Sequence, residues 1–558
     1  MKVRNGWARK RTTGEMTCRK ERPSRQWFSK STAVGVLRRR WVAWMLCLGL
    51  LLTGCALNPS VPSEEPPPPA VPIPEIKEAV AQTWLLPGTA PVDADAVWAE
   101  INTILNEELN TTVTLTRVPW DAWWNRSKTL LAADAAPDAL YVAAGANWDG
   151  LYGTGGLLAL EERTLRQCAP TITGALDQWD AEWVRNSRQD GRLWLVPAIG
   201  ERTVEDVPVL IRGDLRALYG MAEIATLEDL ETYLTELARA GAKVVPWNAD
   251  ADGLARFLTL AWFQPLQLAP VTPDFPFLAY SITDPNPVLV NVMEDDGFLE
   301  ALGRLRRLTQ SGALPDSALY ARTSGADMFQ GGMSACLIGN AAQVGQVYAS
   351  VMQRHPEWKP ERCLLNPQAK RARQPVSASG MAITASAKAP ERVLTTLDRM
   401  YQDQRLQDLS ACGLEGTHYS LDASGSLVPG DSASRYPYAE SILGWTNLSL
   451  LRPPAAGGLY VREVTTHWLE QPDLLVTPVL GAFRFDPAPV AQEMSALGAV
   501  LGNEGRQLLS GTDSAVPESL DRLREAFAQA GIEAVRVEMQ RQADAWLADR
   551  KAGASAAP

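Results

Sequence analysis

The chain has 558 residues, and its 46% hydrophobic and 21% charged residues are ordinary proportions for a folded protein. Its net charge of −11 is unevenly distributed, because residues 1–54 carry 13 Lys and Arg against two Glu. Residues 55–558 therefore have a net charge of about −22. A body this acidic argues against nucleic acid as a partner and against adhesion to an anionic membrane surface, since both need clustered Lys and Arg.

An export signal is predicted at the N-terminus. Three arginines at residues 38–40 precede an uncharged apolar run over residues 41–52. Basic residues, a short apolar core and small residues at a cleavage site are typical of a secretory signal. The run of 12 residues is shorter than the about 20 apolar residues that a membrane-spanning helix needs. A retained transmembrane helix is therefore the less favoured alternative.

A cysteine stands directly after this run, in the sequence Leu52-Thr53-Gly54-Cys55. These four residues resemble the bacterial lipobox. The resemblance implies that residues 1–54 are a signal peptide that is removed, and that Cys55 carries diacylglycerol as the first residue of the mature chain. Residues 55–77 then form a tether, because residues 56–74 are rich in proline and favour extended polyproline II, at ~3.1 Å per residue.

Periodicity after the tether predicts alternating strands and helices. Strands are predicted at residues 80–86, 111–118 and 139–143, and helices at residues 93–109 and 122–133. Short links between such elements are typical of an open parallel α/β sheet. In sheets of this kind ligands bind outside the carboxyl ends of the strands. Here those ends lead into residues 87–88, residues 119–120 and residues 144–148.

The C-terminal region predicts two helices. The first starts near Pro517 and stops at Gly531, residue types that suit the first turn and the end of a helix. The second covers residues 532–549, and its apolar residues recur on one stripe that we expect to pack in a core: Ile532, Val535, Met539, Ala543 and Trp546. Residues 551–558 are predicted to be a disordered tail.

A series of short segments occurs in one characteristic order along the chain. The segments are residues 84–88, 119–120, 136–138, 193–197, 209–215, 225–230, 380–383, 389–392, 398–401, 413–419, 483–486 and 540–546. Among them are Trp84-Leu85-Leu86-Pro87-Gly88 and Gly413-Leu414-Glu415-Gly416-Thr417-His418-Tyr419. Together these segments resemble the extracellular solute-binding lipoproteins of ABC importers (family 1 type). Within that family they resemble the LipO-like proteins of Gram-positive bacteria, which have a DUF3502-type C-terminal region.

The resemblance implies an α/β, two-lobe fold of the periplasmic-binding-protein type (type II), with a helical C-terminal extension. Each lobe would be a mixed, mostly parallel sheet flanked by helices. The implied first lobe consists of residues 78–203 and 340–385, and the second lobe of residues 204–339 and 386–550. Three crossings between the lobes would form a hinge, at residues 201–205, 337–340 and 383–389. Closure about this hinge would bury a ligand between the lobes.

The sequence offers little for catalysis. It holds three histidines and lacks the H-E-x-x-H, G-x-S-x-G and G-x-x-x-x-G-K-[ST] motifs. His418 is therefore expected to be structural. No metal site or cofactor is expected, because the four cysteines of the body have no C-x-x-C spacing: Cys168, Cys336, Cys363 and Cys412. A carboxylate-pair glycosidase stays open, since it needs only two suitably spaced Asp or Glu in a sugar cleft.

The chain contains 19 tryptophans, and a flat apolar ring with a polar edge suits the face of a sugar. We expect loop aromatics to stack on the ligand, and Asn and Glu side chains to bind its hydroxyl or cationic groups. The candidates are Trp120, Asn147, Trp148, Glu201, Glu415, Tyr419, Trp445 and Asn447. For each of them, ordinary packing or a solvated loop position is the alternative.

The resemblance also implies the function. It indicates a monomeric, lipid-anchored substrate-binding protein at the extracellular face of the cell membrane. Such a protein captures a solute, foremost an oligosaccharide, and delivers it to an ABC permease without catalysis. The alternatives are a surface lipoprotein that hydrolyses glycans, a binding protein for peptides or other polar solutes, and a scaffold that holds partners.

Overall fold

The structure, a computed structural model, describes residues 78–132, 136–143, 151, 155–179, 184, 187–188, 191–198, 204, 206–272, 275–438 and 444–555. All of these residues belong to one compact unit that spans residues 72–558. The predicted signal peptide, Cys55 and the tether up to residue 77 lie outside the described residues. Within the described ranges, no helix is long and apolar enough to cross a membrane.

Helices make up much of the described chain. In chain order they are α1 (Ala94–Leu109), α2 (Trp120–Leu131), α3 (Glu162–Cys168), α4 (Pro170–Asp177), α5 (Gly213–Leu218), α6 (Leu227–Arg239), α7 (Ala251–Leu258), α8 (Asp296–Gln310), α9 (Gly325–Gln330), α10 (Ala341–Arg354), α11 (Pro390–Gln402), α12 (Gln404–Cys412), α13 (Tyr460–Leu469), α14 (Ala491–Val500), α15 (Val516–Ala530) and α16 (Ile532–Ser555). Two of them continue through a π turn. Helix α7 runs through Thr259–Phe263 into Gln264–Leu266, and α14 runs through Leu501–Gly505 into Arg506–Leu509.

A five-stranded sheet forms the centre of the first lobe. Its strands are β1 (Val80–Pro87), β2 (Thr111–Val118), β3 (Ala139–Ala143), β4 (Val196–Pro197) and β12 (Ser379–Ile383), in the order β2-β1-β3-β12-β4. Strands β1, β2 and β3 are parallel, whereas β12 runs antiparallel to β3 and to β4. This sheet confirms the mixed, mostly parallel sheet that the family resemblance implies for the first lobe.

The predicted strands and helices of this lobe are present, and the spacing of their apolar residues accounts for them. Helix α1 buries Val97, Ile101 and Leu105 at spacings of four residues, so that one face covers the sheet. It ends at Asn110, which adopts the left-handed conformation at φ 46° that is common after a helix. Helix α2 begins at Trp120, two residues before the predicted start, directly after β2 ends at Val118.

The strands of the second lobe are antiparallel. Strand β5 (Val209–Arg212) lies between β10 (Pro360–Cys363) and β9 (Cys336–Ile338), and it is antiparallel to both. A further antiparallel sheet contains β6 (Leu268–Thr272), β7 (Phe275–Ser281) and β8 (Val290–Asn291). The two-lobe α/β class holds, but the second lobe does not have the mostly parallel sheet that was expected. Because helices occupy much of its sequence, the strand directions there could not be inferred from alternation.

The buried apolar residues show which segments pack together. The first-lobe core runs from Trp84 to Val196 and from Met381 to Leu459. The second-lobe cores contain residues between Val207 and Leu365, and α13 packs with them through Tyr460. This division differs from the implied one, which put residues 341–365 in the first lobe and residues 386–459 in the second. The difference is due to helices α10 and α11. The apolar face of α10 covers the second-lobe sheet, and the apolar face of α11 covers the first-lobe sheet.

The C-terminal helices confirm the predicted pair. Helix α15 ends at Gly531, which has φ 94°, and α16 buries Ile532, Val535, Met539 and Ala543 in a core shared with β7. Helix α16 continues to Ser555, although residues 551–558 were expected to be disordered. Alanine is the strongest helix former, and the Ala-rich end of the chain accounts for this extension. The four cysteines of the body are buried and unpaired.

The chain passes between the two lobes in three places. It leaves the first-lobe core after Val196, returns to it at Met381, and leaves it again after Leu459. The predicted crossings at residues 337–340 and 383–389 are therefore displaced. Leu337 and Ile338 are part of β9, and Ile383 is the last residue of β12. The predicted crossing at residues 201–205 lies outside the described residues except for Val204.

Backbone pairing and a buried ion pair join these crossings. Strand β11 (Arg371–Ala372) pairs with β13 (Leu475–Val476), and Val204 bridges Arg373. Arg371 is 1% exposed, and its Nε donates a hydrogen bond of 3.2 Å to Oδ1 of Asp206. The indole Nε1 of Trp468 donates to Oδ2 of Asp206 at 2.8 Å. One side chain from each of the first two linking segments and one from α13, which follows the third, thus meet in a buried cluster, which we call the crossing cluster (Asp206, Arg371 and Trp468).

Candidate functional site

An exposed tryptophan lies at the carboxyl end of the first sheet. Trp120 occupies the first turn of α2, directly after β2, and 53% of it is exposed. It is the one tryptophan among the described residues that appears among the exposed large hydrophobic side chains. Its ring lies edge-on to Tyr141 of β3, with centroids 6.2 Å apart, and to Trp123, at 6.5 Å. These two buried rings hold Trp120 in place, so that it offers a rigid apolar face to a ligand.

Three predicted ligand residues lie outside the described residues. Asn147 and Trp148 come after β3 in the sequence, and Glu201 comes after β4. Their assignment stays a prediction from their position in the chain.

Glu415 and Tyr419 lie close together in one turn. They form an isolated β-bridge, and the backbone N–H of Gly416 donates to the carbonyl of Tyr419 at 2.7 Å. Glu415 is exposed, whereas Tyr419 is buried in the first-lobe core. Burial raises the pKa of Tyr419 well above its ordinary value, and the nearby Asp408 adds to this shift. Tyr419 is therefore a neutral phenol in a packed turn, and Glu415 is the member of the pair that faces solvent.

Trp445 lies in the first-lobe core. It is 1% exposed, and its ring centroid is 5.4 Å from that of Trp84 and 6.1 Å from that of Trp98. The loop that carries it passes so close to β12 that a Cβ on Gly444 would lie 2.4 Å from Met381. Gly444 has φ 99° and is needed for this approach. The structure thus places Trp445 as a packing residue, with no face toward solvent.

Asn447 is held by the same loop. Its Nδ2 donates to the carbonyl of Tyr401 at 3.2 Å, and its backbone N–H donates to Oε1 of Gln407 at 3.1 Å. Gln407 in turn donates to the carbonyl of Trp445 at 2.8 Å. Asn447 also lines a shallow depression of about 630 Å³. The structure therefore brings Glu415 together with Tyr419, and Trp445 together with Asn447, but no described contact joins either pair to Trp120.

His418 is structural, as expected. Its Nδ1 accepts a hydrogen bond of 2.8 Å from the N–H of Leu414, so Nε2 carries the proton and faces Oδ2 of Asp93 at 3.1 Å. Arg435 donates to both oxygens of Asp93, at 2.8 and 2.5 Å. The hydrogen bonds from Arg435, and then from His418, lower the pKa of Asp93 from 3.8 to about 2. This arrangement links the turn after β1 to the segment around Glu415.

We predict that Asp93 contributes to acid sensitivity. Its folded-state pKa lies below its unfolded value, so its stabilising effect is present above pH about 4 and is lost as the pH falls toward about 2. Urea unfolding at pH 7 and pH 3 should therefore show a smaller loss of stability on acidification for Asp93→Asn than for the unchanged chain. Asp549→Asn, at an exposed position of α16, is the control and should leave the pH dependence as it is. Equal pH dependence in all three proteins would contradict this role of Asp93.

The second lobe contains a cavity that the sequence did not indicate. It measures about 430 Å³ and lies between α7 with its π turn, strands β6 and β7, and the segment after α14. Trp262, Phe263, Phe277 and Phe298 form much of its wall. The neighbouring aromatic residues at 262–263 were the available signal, but the spacing of apolar residues does not reveal a π turn. Arg371 of the crossing cluster also lines this cavity.

No metal site is present within the residues that the structure describes, since no three His, Cys, Asp or Glu side chains come together in a suitable group. Burial raises the pKa of the Cys363 thiol to about 12, so this side chain is a neutral thiol at physiological pH.

Comparison with known proteins identifies the fold. Residues 479–548 match a family described as a domain of unknown function, DUF3502. The N-glycan transport solute binding protein NgtS from Streptococcus pneumoniae has a TM-score of 0.67 at 16% identity, over 85% of this chain and 100% of that one. The alginate-binding protein AlgQ2 has a TM-score of 0.60 at 17% identity, over 84% and 98% of the two chains. This chain has the two-lobe fold of solute-binding proteins.

A third solved structure is also similar to this chain along most of its length. An HMO-binding, ABC-transporter-associated solute-binding protein from Bifidobacterium longum infantis has a TM-score of 0.57 at 13% identity, over 84% of this chain and 99% of that one. No curated protein sequence matches the chain. The match over residues 479–548 confirms the expected DUF3502-type C-terminal region, and the three structures, each described as a binding protein, confirm the expected two-lobe fold.

Proposed function

We propose that this protein is a lipid-anchored substrate-binding protein that captures an oligosaccharide outside the cell and delivers it to the permease of an ABC importer. The observation that carries the proposal is the likeness of the fold along 85% of the chain to a solute-binding protein described as serving N-glycan transport. That protein was also solved with Man1GlcNAc and with Man5GlcNAc, and the similar FusA was solved with kestose. Sugars are therefore the first ligands to test.

The first lobe supports a sugar ligand. Trp120 is exposed at the carboxyl end of the sheet, where ligands of open α/β sheets bind. An indole face packs well against the apolar face of a pyranose ring, while side-chain amides and carboxylates bind the hydroxyls at its edge. We propose that Trp120 stacks on the sugar and that Asn147, Trp148 and Glu201 surround it. Glu415 and Asn447 are proposed as more distant contacts, and Tyr419 and Trp445 support the loops that carry them.

Closure of the two lobes is the proposed mechanism. A ligand that contacts both lobes favours the closed state by the difference between its affinities for the closed and open states. The three linking segments, joined by the crossing cluster, are the part of the molecule that must bend. Binding in this scheme needs no reactive group, so the sugar leaves the protein unchanged.

Anchoring of the protein is proposed to depend on Cys55. Changing Cys55 to alanine removes the thiol that would carry the lipid, and we expect the variant to appear in the culture medium rather than in the membrane fraction. A single acyl chain binds membranes only marginally, so a diacylglycerol group is needed for stable attachment. Immunoblots of membrane and medium fractions measure the distribution. Retention of Cys55→Ala in the membrane would show that the anchor lies elsewhere.

The proposed function is tested by thermal unfolding of residues 72–558 with a panel of oligosaccharides, peptides and polyamines. A ligand that binds only the folded protein raises its stability by about 2.7 kcal/mol at 100 times the dissociation constant. A shift with one class of oligosaccharide, recovered intact by mass spectrometry, is the expected result. Cleavage of the sugar would replace the proposal with a glycan hydrolase. A shift with peptides alone would retain a binding protein and change its cargo, and no shift at all would favour a scaffold.

A further inference from the structure

An arginine without a carboxylate partner lies at the carboxyl end of β2. Arg117 is the last residue but one of this strand, and it is partly exposed. Its Nη1 donates one hydrogen bond, to the carbonyl of Pro87 at 3.4 Å, which is long for a bond of this kind. Within the part of the chain that the structure describes, no ion pair includes Arg117, and the phenol of Tyr436 is the one titratable group that acts on it. Most N–H donors of its guanidinium are therefore available to a ligand.

The charge of Arg117 is partly removed from water and is not compensated by the protein. Burial lowers the pKa of this guanidinium below its ordinary value. Arginines are seldom removed from water without a partner, because a desolvated charge is destabilising unless another group compensates it. Arg392 and Arg462 also form no ion pair among the described residues, but each of them donates to two oxygen atoms of the chain. An anion bound at Arg117 would supply the compensation that is missing there.

The position of Arg117 suits a residue that binds a ligand. It lies at the same edge of the first-lobe sheet as Trp120, which follows it by three residues, so the two Cα atoms are no more than about 11 Å apart. Ligands of open α/β sheets bind at this edge. Gly88, in the turn after β1, has φ 97°, and a Cβ there would lie 4.0 Å from Nη1 of Arg117. Glycine thus leaves the guanidinium uncovered on that side.

We propose that the oligosaccharide is acidic and that Arg117 binds a carboxylate of one of its sugar units. The planar guanidinium presents two parallel N–H donors that match the two oxygens of a carboxylate. The carboxylate then takes the place of the missing counter-ion, while Trp120 stacks on a sugar ring at the same edge of the sheet. This inference rests on the proposed function, because it assigns a charge to the sugar that the first lobe binds.

The acidic body of the protein does not prevent this binding. The net charge of about −22 on residues 55–558 is spread over the whole body, and exposed charges beyond the Debye length of about 8 Å are largely screened at physiological ionic strength. A contact between a carboxylate and a partly buried guanidinium is screened much less. Asp93, in the turn after β1, is already bound by Arg435 and His418. It therefore does not compete with the ligand for Arg117.

Isothermal titration calorimetry of residues 72–558 with acidic sugars and their methyl esters tests the proposal. The acids are trigalacturonate, trimannuronate and sialyllactose, and the ester of each removes the charge but keeps the sugar. We expect at least one acid to bind, about tenfold more tightly than its ester, since a hydrogen bond to a charged group distinguishes the two. Arg117→Met should reduce the affinity for this acid to that for its ester and leave the ester unchanged. Arg117→Lys keeps the charge without the paired donors and should retain an intermediate preference.

Arg126→Met is the matched control. Arg126 is an exposed arginine of α2 in the same lobe, so this variant makes the same change in net charge. It should bind each acid as tightly as the unchanged protein does. Circular dichroism checks that every variant is folded.

Three results would overturn the proposal. Binding of neutral oligosaccharides from the thermal screen but of no acid would retain the proposed function with an uncharged cargo. Equal weakening of the acid and its ester by Arg117→Met would show that Arg117 supports the turn after β1 and does not recognise the charge of the sugar. Binding of no oligosaccharide, neutral or acidic, would remove the proposed function as well, so the two failures are distinguishable.

Discussion

Replacing Trp120 with alanine should weaken oligosaccharide binding by about ten- to a hundredfold. Trp120 is 53% exposed and its ring is held by Tyr141 and Trp123, so little ordering is needed when a sugar stacks on it. A ten- to hundredfold loss of affinity corresponds to roughly 1.4–2.8 kcal/mol, which a rigid aromatic residue can contribute when it becomes covered at a binding surface. Isothermal titration calorimetry with the oligosaccharide found in the thermal screen measures the effect.

Two further variants make the Trp120 result specific. Trp120→Phe keeps a stacking ring and should retain much of the affinity. Tyr219→Ala removes another exposed aromatic side chain, at the end of α5 in the second lobe, and should leave the affinity unchanged. If Trp120→Ala binds the sugar as tightly as the unchanged protein, Trp120 does not contact the ligand.

Replacing Arg371 with methionine should lower the free energy of unfolding by about 3–5 kcal/mol. Its guanidinium donates to Asp206 and to the carbonyls of Ala369 at 2.9 Å and Leu365 at 2.8 Å, in a site where Arg371 is 1% exposed. The variant leaves the carboxylate of Asp206 buried without its cation, and breaking a buried pair in this way is strongly destabilising. Urea denaturation of residues 72–558 measures the change.

The double variant Arg371→Met with Asp206→Leu should recover part of this loss, because it removes both charges together. Arg166→Ala is the control for loss of a surface ion pair. Arg166 is half-exposed and binds Asp177 at 2.6 Å, and its removal should cost no more than about 1 kcal/mol. A loss below about 1 kcal/mol for Arg371→Met would mean that the crossing cluster does not hold the linking segments together.

The local pattern of the chain predicts much of the first lobe and of the C-terminal extension. Strands β1 and β2, helix α1 and the stripe on α16 follow from apolar residues at regular spacing. The division between lobes does not follow from such patterns. Helices α10 and α11 each have an apolar face, but the sheet that each face covers is decided by long-range packing. The crossings predicted at residues 337–340 and 383–389 are displaced for the same reason, because long-range packing also decides where the chain leaves each lobe.

The candidate site was harder to predict from the sequence. Trp120 could be placed, because it directly follows a strand with a clear pattern. Trp445 shows the limit of that reasoning, since a loop tryptophan next to glycine turned inward and packed on Trp84 and Trp98. The cavity beside Trp262 and Phe263 could not be predicted from the spacing of apolar residues, because a π turn changes which residues share a face. The chemistry of a loop residue depends on the contacts around it, which the local sequence does not encode.

We propose that an oligosaccharide closes the two lobes and is released unchanged. Small-angle X-ray scattering of residues 72–558, with and without the oligosaccharide found in the thermal screen, measures this closure. We predict a smaller radius of gyration and a shorter maximum dimension at saturating sugar, with the sugar recovered intact. An unchanged scattering profile at saturation would show that the sugar does not close the lobes, and recovery of cleaved sugar would show that the protein is a hydrolase.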